Sequence, residues 1–294
     1  MNFAPAPHIS EFDSLPRMPP WVTSGRGESL ENMAFVAGAA LSHLHLILSN
    51  DAVPKPLLCN RLALRAAEAC VAFSGRPERS AELRDAVHLL RPGDLPGPAG
   101  DTCLAWQRAV ERPPSVKALH RATQGVAADQ IAYWLDAGQS APVTRAALVL
   151  EVILTDLPRG EVPALILADA ALAQALGWDH LVPLLAAGLR RADLRKRGDD
   201  LRLACYRAVT ASAIEAVRTA SDLARRAAHL RAVAPKLRAK GAGDAVAMFL
   251  TQDAVAPAAL PLPDRAARRL CDRLVALGAV RELTGRDTFR LYGV

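Results

Sequence analysis

The sequence has few aromatic residues and no apolar stretch long enough to cross a membrane. Phenylalanine, tyrosine and tryptophan together make up only 4% of the chain. The most apolar run, residues 33–48, contains His43 and His45, whereas a transmembrane helix needs about 20 apolar residues in a row. We therefore expect no membrane partner and interpret this run as a buried helix of a globular protein.

Cysteine is also scarce, and its distribution argues against a disulfide framework. The five cysteines are odd in number, lie far apart and include no Cys-x-x-Cys pair, so neither a stapled secreted domain nor a zinc site is indicated. The first residues lack the basic and then apolar stretch of a secretory signal. The sequence thus predicts a cytoplasmic protein with reduced thiols, no metal site and no cofactor.

Motifs that would identify an enzyme are missing. There is neither a Gly-x-Ser-x-Gly elbow nor a His-Glu-x-x-His metal motif. The nearest candidate is the proline- and glycine-rich loop 91–100, which contains Asp94 and follows Asp85 and His88 on one predicted helix face. This loop lacks the Lys-Ser/Thr ending of a phosphate loop, and no strand precedes it. No catalytic residue is assigned, and an enzyme with a site near this loop is the third of three functional hypotheses.

Alanine, leucine and valine carry most of the 51% hydrophobic content. Alanine and leucine favour helix, and their spacing between proline and glycine breaks predicts a mainly all-α protein. Residues 1–28, with five prolines, are interpreted as a flexible or loosely docked tail, and residues 29–221 as a multi-helix domain that begins at the N-cap Ser29. The predicted helices lie at about 29–50, 57–73, 78–90, 101–111, 115–136, 143–157, 162–176, 179–191 and 199–234.

The net charge of +6 is concentrated in the last quarter of the chain. Residues 1–221 hold 23 Lys/Arg and 23 Asp/Glu, whereas residues 222–294 hold 13 Lys/Arg and 7 Asp/Glu. A local positive excess attracts polyanions and gains affinity from counterion release. Residues 222–240 are interpreted as a basic helical connector to a C-terminal module.

The pattern of residues 241–294 predicts a winged helix-turn-helix. A first helix at about 243–251 is followed by a short helix at about 257–260 and a third from Asp264 to Gly278. In the third helix Ala266, Leu270, Leu274 and Leu277 form the expected apolar stripe. Two short strands, 279–283 and 288–292, are predicted to form a small β-hairpin wing. In such modules the third helix enters the major groove, and the wing touches the DNA backbone or the minor groove.

The favoured hypothesis is a DNA-binding protein whose helical domain serves dimerisation or partner contacts. Three arginines of the third helix would contact base edges or phosphates, and further cations of the helix, the wing and the connector would contact the backbone. The candidate DNA-binding residues are Arg265, Arg268, Arg269, Arg273, Arg286, Arg290, Lys236, Arg238 and Lys240.

Two other interpretations of these arginines stay open. Asp264, Asp272 and Asp287 lie among them and could neutralise a merely solvated helix face through local pairs. A winged helix can also dock protein, in which case the protein would be a structural adaptor in a plasmid-maintenance or segregation complex. A protein partner or self-association is expected under either of the first two hypotheses.

Several stretches resemble an uncharacterised alphaproteobacterial family, domain-of-unknown-function family 1403. They are RLALRAAE (61–68), AELRDAV (81–87), RPGD (91–94), GPAG (97–100), APKLRAKG (234–241), DRAARRL (264–270) and GRDTFRLYG (285–293). The resemblance covers most of the chain beyond the tail and implies a bacterial cytoplasmic protein, often from plasmid-rich soil bacteria. It implies no activity and transfers no catalytic residue. Pro263 stands where a capping residue such as serine is expected before the third helix.

Overall fold

The structure, a computed structural model, describes residues 15–24, 29–91 and 93–294. Within these residues the protein is mainly α-helical, and its regular strands are one short antiparallel pair near residue 294. The helices are α1 (Pro20–Thr23), α2 (Leu30–Leu48), α3 (Lys55–Phe73), α4 (Ser80–His88), α5 (Gly97–Glu111), α6 (Val116–Ala122), α7 (Ala128–Leu135), α8 (Pro142–Asp156), α9 (Glu161–Ala175), α10 (Leu185–Gly188), α11 (Gly198–Val233), α12 (Ala242–Phe249) and α13 (Asp264–Ala276). The strands are β1 (Arg281–Glu282) and β2 (Tyr292–Gly293).

The two helices that the sequence marks most clearly begin where they are expected. Ser29 is the N-cap of α2, and its hydroxyl accepts a hydrogen bond from the backbone N–H of Asn32 at 3.2 Å, which satisfies one of the free donors at the helix start. Helix α11 is a single helix of 36 residues and begins at Gly198. It is the longest helix of the described chain and packs against α2 and α8.

Helix α9 lies at the centre of the helical core. Residues 164–173 are all buried, and α9 contacts α8, α5, α7 and α10. The only ionisable side chain among these ten residues is that of Asp169. A helix that is apolar on every side is stable only when other elements surround it, which explains why the sequence pattern of α9 has no polar face.

The prediction of a helix over 179–191 is wrong, because only α10 is helical there. The Asp169 carboxylate accepts hydrogen bonds from the backbone N–H groups of Leu184 and Leu185 at 3.1–3.2 Å, so it caps the short turn of α10 from the neighbouring helix. Gly188 lies so close to α11 that an added Cβ would be 2.5 Å from the Ala208 carbonyl oxygen. Tertiary contacts of this kind override a helix-favouring composition.

Two other predicted boundaries need correction. The segment 91–100 is predicted to be loop throughout, but α5 already begins at Gly97, with proline in its first turn, where the missing N–H is tolerated. The predicted helix 115–136 is two helices, α6 and α7, separated by residues 123–127. Ser115 caps α6 by accepting a hydrogen bond from the N–H of Ala118.

Part of the predicted tail is packed against the helical core. Of residues 1–28, residues 1–14 and 25–28 lie outside the described residues. In the described part, Leu15 and Val22 belong to the buried core, and α1 contacts α2. His43 Nε2 lies 2.9 Å from the Pro16 carbonyl oxygen, a further link between this segment and α2.

The C-terminal segment consists of two helices, a 3₁₀ turn and the two strands. Helix α12 is followed by Val255, which pairs with Tyr292 of β2, then by a 3₁₀ turn at Pro257–Ala259, α13 and β1. The strands are shorter than predicted. Phe289, within the predicted strand 288–292, is largely exposed and has a φ of 54°, whereas residues 291–294 are all buried, so the alternation of a half-buried strand is absent.

Buried charge joins this C-terminal segment to α3 and α4. Asp253 is only 6% exposed and forms ion pairs with Arg61 of α3 and Arg84 of α4, the latter at 2.6 Å between Nε and Oδ2. The Asn60 side-chain amide donates to the Thr251 carbonyl oxygen at 3.1 Å. One hydrophobic core contains residues from both the helical part and the C-terminal segment. The division at residues 221, 222 and 241 stays a prediction, and α11 runs through the first two of these positions without a break.

The five cysteines are unpaired and buried. Burial raises the pKa of the Cys59, Cys70, Cys103 and Cys271 thiols to about 12, so these side chains are neutral parts of the core. In the described part of the chain, no helix combines the length and apolarity needed to cross a bilayer.

Candidate nucleic-acid interface

Helix α13 turns one apolar face to the core and its arginines away from it. The buried residues of α13 are Ala267, Leu270, Cys271 and Leu274. The predicted stripe is therefore correct at Leu270 and Leu274, but Ala266 and Leu277 are only half-buried. Because the residues three and four positions apart share a face, this burial leaves the intervening positions to solvent.

Four arginines occupy the outward side of α13: Arg265, Arg268, Arg269 and Arg273. Arg268 Nη2 lies 2.9 Å from Asp264 Oδ2, one helical turn earlier. Within the described residues, no hydrogen bond or ion pair engages the side chains of the other three. Helix α13 therefore presents three unpaired guanidinium groups on one exposed surface.

The predicted connector cations are exposed, and the connector ends beside the residues that precede α13. Lys236 ends a 3₁₀ turn that follows α11, and Lys236, Arg238 and Lys240 are all exposed. Gly241 has a φ of +89°, and an added Cβ would lie 3.1 Å from the Pro261 carbonyl oxygen. The end of the connector is therefore packed against the residues that precede α13, and in the described chain its three cations have no side-chain partner.

Arg286, predicted as a wing residue that contacts DNA, has a partner inside the protein. Its Nη1 and Nη2 atoms lie 2.9 and 2.5 Å from the two carboxylate oxygens of Asp85 in α4, and Nη2 also donates to the Phe289 carbonyl oxygen at 3.2 Å. A two-pronged arginine–carboxylate pair fixes the guanidinium geometry. This pair holds the loop between β1 and β2 against the helical core.

Arg290, the second wing candidate, also has partners close by. Its Nε donates to the Arg286 carbonyl oxygen at 2.9 Å, and Nη2 lies 3.4 Å from Asp287. Glu282 orders the other side of the same loop by accepting hydrogen bonds from Thr284 and from the Gly285 N–H. Burial alone would raise the pKa of Glu282, but these hydrogen bonds lower it, so the carboxylate is charged at neutral pH.

One further exposed cation, close to the connector cations in sequence, was not selected by the sequence interpretation. Arg231 is exposed in the last turn of α11 and has no side-chain partner in the described chain. The same part of α11 contacts the end of α13, because His229 Nε2 lies 3.0 Å from the Leu277 carbonyl oxygen. The position of Arg231 just before the connector cations is the sequence signal that could have identified it.

The residues proposed for an enzyme site have separate partners. Asp85 pairs with Arg286, and Asp94 accepts a hydrogen bond from the Arg91 N–H at 2.9 Å within its own loop. Burial lowers the pKa of the His88 imidazole. In the described residues, no group of three or more His, Cys, Asp and Glu side chains is arranged to hold a metal ion.

The chain belongs to the family described as "Protein of unknown function (DUF1403)", which it matches over residues 6–294. This match covers nearly the whole chain and agrees with the resemblance drawn from the sequence motifs. No curated protein matches the chain. Family membership therefore supplies no activity, and a functional proposal depends on the geometry described above.

Proposed function

We propose that this protein binds DNA through the outward face of α13, with the connector cations beside it. The observation that carries the proposal is the set of three exposed and unpaired arginines, Arg265, Arg269 and Arg273, on one helix. Unpaired guanidinium groups are suited to phosphate oxygens and guanine edges. The neighbouring cations Arg231, Lys236, Arg238 and Lys240 would extend the contact along the DNA backbone.

The order of elements in residues 242–294 supports a winged helix-turn-helix. Helix α12 is followed by Val255, which pairs with Tyr292 of β2. A 3₁₀ turn, α13 and the two-stranded hairpin come next along the chain. This is the sequence of parts in which α13 would be the recognition helix. Its first residues are reached by solvent, since Asp264, Arg265, Arg268 and Arg269 are exposed.

The contacts of the hairpin loop change the roles proposed for its arginines. Because Arg286 is held by Asp85 and Arg290 by backbone and Asp287, we assign both to positioning the hairpin rather than to DNA. DNA contact would then depend on the helix and the connector. Asp264 and Asp272 are exposed on the same helix, and their negative charges are expected to limit the affinity of the α13 arginines for phosphate.

The test compares two triple variants of the full chain that lose the same charge. Arg265, Arg269 and Arg273 are changed to Gln in one, and the exposed residues Arg17, Arg65 and Arg159, which also lack side-chain partners in the described chain, are changed to Gln in the other. Fluorescence anisotropy with a labelled duplex measures affinity at fixed low salt. We expect the α13 variant to bind at least about tenfold more weakly, since one lost charge-assisted hydrogen bond corresponds to roughly that factor.

Equal affinity of both variants and the wild type would contradict the proposal, as would no binding at low salt. The adaptor hypothesis then gains support if a partner protein co-purifies after nuclease treatment and is lost in the α13 variant but kept in the control variant. That outcome would assign the same arginines to a protein surface.

A further inference from the structure

A cavity of about 770 Å³ lies between the helical core and the start of the C-terminal segment. Its walls come from α2, α3, α5, residues 177–182 and residues 251–252. Pockets that bind small molecules have volumes of roughly 300–1,000 Å³ and combine an apolar body with a few polar groups. The volume of this cavity and its lining of both apolar and polar residues therefore fit a small organic ligand.

The inner part of the cavity is apolar and includes an aromatic ring held in one orientation. Leu48, Cys59, Val110, Trp178 and Val182 line the cavity and are all buried. The Trp178 Nε1–H donates to His45 Nδ1 at 2.9 Å, so the indole is fixed from the side of α2. A fixed indole and an aliphatic wall favour a flat unsaturated ring, which gains from stacking and from burial of its surface.

Two half-buried cations line the same cavity without a bonded partner. Lys55 and Arg108 have no hydrogen bond or ion pair within the described residues. Lys55 is also the first residue of α3, a 19-residue helix with no side-chain cap and no acidic residue in its first turn. The first turn of that helix supplies no negative group of its own, and the positive end of a helix favours a negative group beside Lys55.

One carboxylate of the cavity wall, Asp179, interacts electrostatically with Lys55, so the positive charge without a nearby partner lies on the Arg108 side. Asp179 lies 3.3 Å from the His180 ring, and Glu111 is exposed. Arg108 and Glu111 also border a second depression, of about 550 Å³, whose other charged side chains include Arg112 and Arg121. These two arginines are exposed and unpaired in the described chain, so the rim is positive on the Arg108 side.

We propose that this cavity binds a small aromatic anion, with its ring against Trp178 and its negative group between Lys55 and Arg108. The proposal is independent of DNA binding. Thr251 and Gln252 also line the cavity and precede Asp253, which pairs with α3 and α4. A bound ligand would therefore contact both parts of the molecule, and it is expected to stabilise their contact because it binds only the folded protein.

The experiment uses the full chain and two probes with similar rings. The probe 1-anilinonaphthalene-8-sulfonate carries one negative charge, whereas N-phenyl-1-naphthylamine carries none. We expect one sulfonate probe per chain, measured by fluorescence titration, and about tenfold weaker binding in Lys55→Gln and in Arg108→Gln, the size of one charge-assisted hydrogen bond. Binding of the neutral probe is expected to change less than about twofold in either variant.

Three controls separate this site from other apolar surfaces. Arg65→Gln removes an exposed charge from α3 outside the cavity, and Phe35→Ser removes one ring of the exposed stack with Trp21; both are expected to leave the binding of both probes unchanged. Leu104→Trp, at a half-buried wall position, is expected to block both probes. Near-ultraviolet circular dichroism checks that each variant is folded.

The proposal is overturned if folded Lys55→Gln and Arg108→Gln bind the sulfonate probe as tightly as the wild type. It is also overturned if both probes weaken equally in those variants, or if folded Leu104→Trp retains one sulfonate probe per chain.

Discussion

Helices α9 and α13 have similar lengths and opposite surroundings. Residues 164–173 of α9 are all buried and include one ionisable side chain, Asp169, which caps the turn of α10. Helix α13 buries four residues and exposes four arginines, three of them without partners in the described chain. The comparison indicates that the buried ionisable group of α9 has a structural role, whereas the three unpaired arginines of α13 have no structural partner and are available for binding.

The largest effect on stability is expected at Asp253, the buried aspartate that joins the C-terminal segment to α3 and α4. Asp253→Ala is expected to reduce the free energy of unfolding by about 3–5 kcal/mol, because it leaves the arginines of a buried ion pair without a carboxylate. Arg61 and Arg84 are both about 15% exposed or less. Urea denaturation measures the change, and Asp244→Ala, at an exposed position of α12, is the matched control. A loss below about 1 kcal/mol would show that this pair behaves like a surface salt bridge.

The buried carboxyl group of Asp169 should make stability depend on pH. Burial raises the pKa of Asp169 to about 8, although the hydrogen bonds from Leu185 and Leu184 oppose this rise. Above a pH of about 4 an unfolded chain releases this proton while the folded chain keeps it. The folded state therefore binds more protons between these values, and the free energy of unfolding falls as pH rises, by up to about 1.4 kcal/mol per pH unit.

Asp169→Asn tests this prediction, because asparagine keeps an oxygen that can accept from Leu184 and Leu185 but does not ionise. Denaturation of both proteins at pH 5, 6 and 7 gives the difference between them at each pH. We expect the wild type to lose stability relative to the variant as pH rises. His88, whose pKa burial lowers, is present in both proteins, so its contribution cancels. A difference that does not change with pH would contradict a neutral Asp169 in the folded state.

A smaller effect is expected at the half-exposed pair that fixes the hairpin loop. Arg286 and Asp85 are 38% and 32% exposed, and such pairs contribute about 0.2–1 kcal/mol. A double-mutant cycle of Arg286→Ala and Asp85→Ala should give a coupling energy in that range. DNA affinity in Arg286→Ala should change less than in the α13 triple variant. If Arg286→Ala lowers DNA affinity as much as the triple variant does, Arg286 belongs to the DNA interface.

The smallest expected effect on stability is at α13 itself. Changing Arg265, Arg269 and Arg273 to Gln should alter the free energy of unfolding by no more than about 0.5 kcal/mol per site, since exposed residues without partners contribute little. Thermal and urea denaturation of the triple variant measure this change. A large loss of stability would mean that these arginines have structural partners, and the contrast between α9 and α13 would fail.

Local signals in the sequence were sufficient for most helices. Ser29 marks the start of α2 because its hydroxyl caps the helix, and Gly198 and Pro235 bracket α11 closely. The run of leucine and alanine at 179–191 misled the prediction, because the carboxylate that organises α10 comes from Asp169 on another helix. Composition alone does not distinguish a buried irregular segment from a buried helix.

Part of the candidate site was also predictable from local signals in the sequence. The outward position of the α13 arginines follows from helical spacing, and the structure places all four in solvent. The engagement of Arg286 was not predictable, because its partner Asp85 is 201 residues away along the chain. Pairs this distant in sequence leave no local pattern when only one sequence is considered.

The most direct test of DNA binding through α13 is the salt dependence of affinity. For each phosphate contact, the slope of log K against log salt concentration becomes more negative by about 0.9. If Arg265, Arg269 and Arg273 each contact a phosphate, the triple Gln variant should have a slope shallower than that of the wild type by about 2–3. The control variant at Arg17, Arg65 and Arg159 should retain the wild-type slope. Equal slopes in all three proteins would contradict the assignment of α13 as the DNA-binding helix.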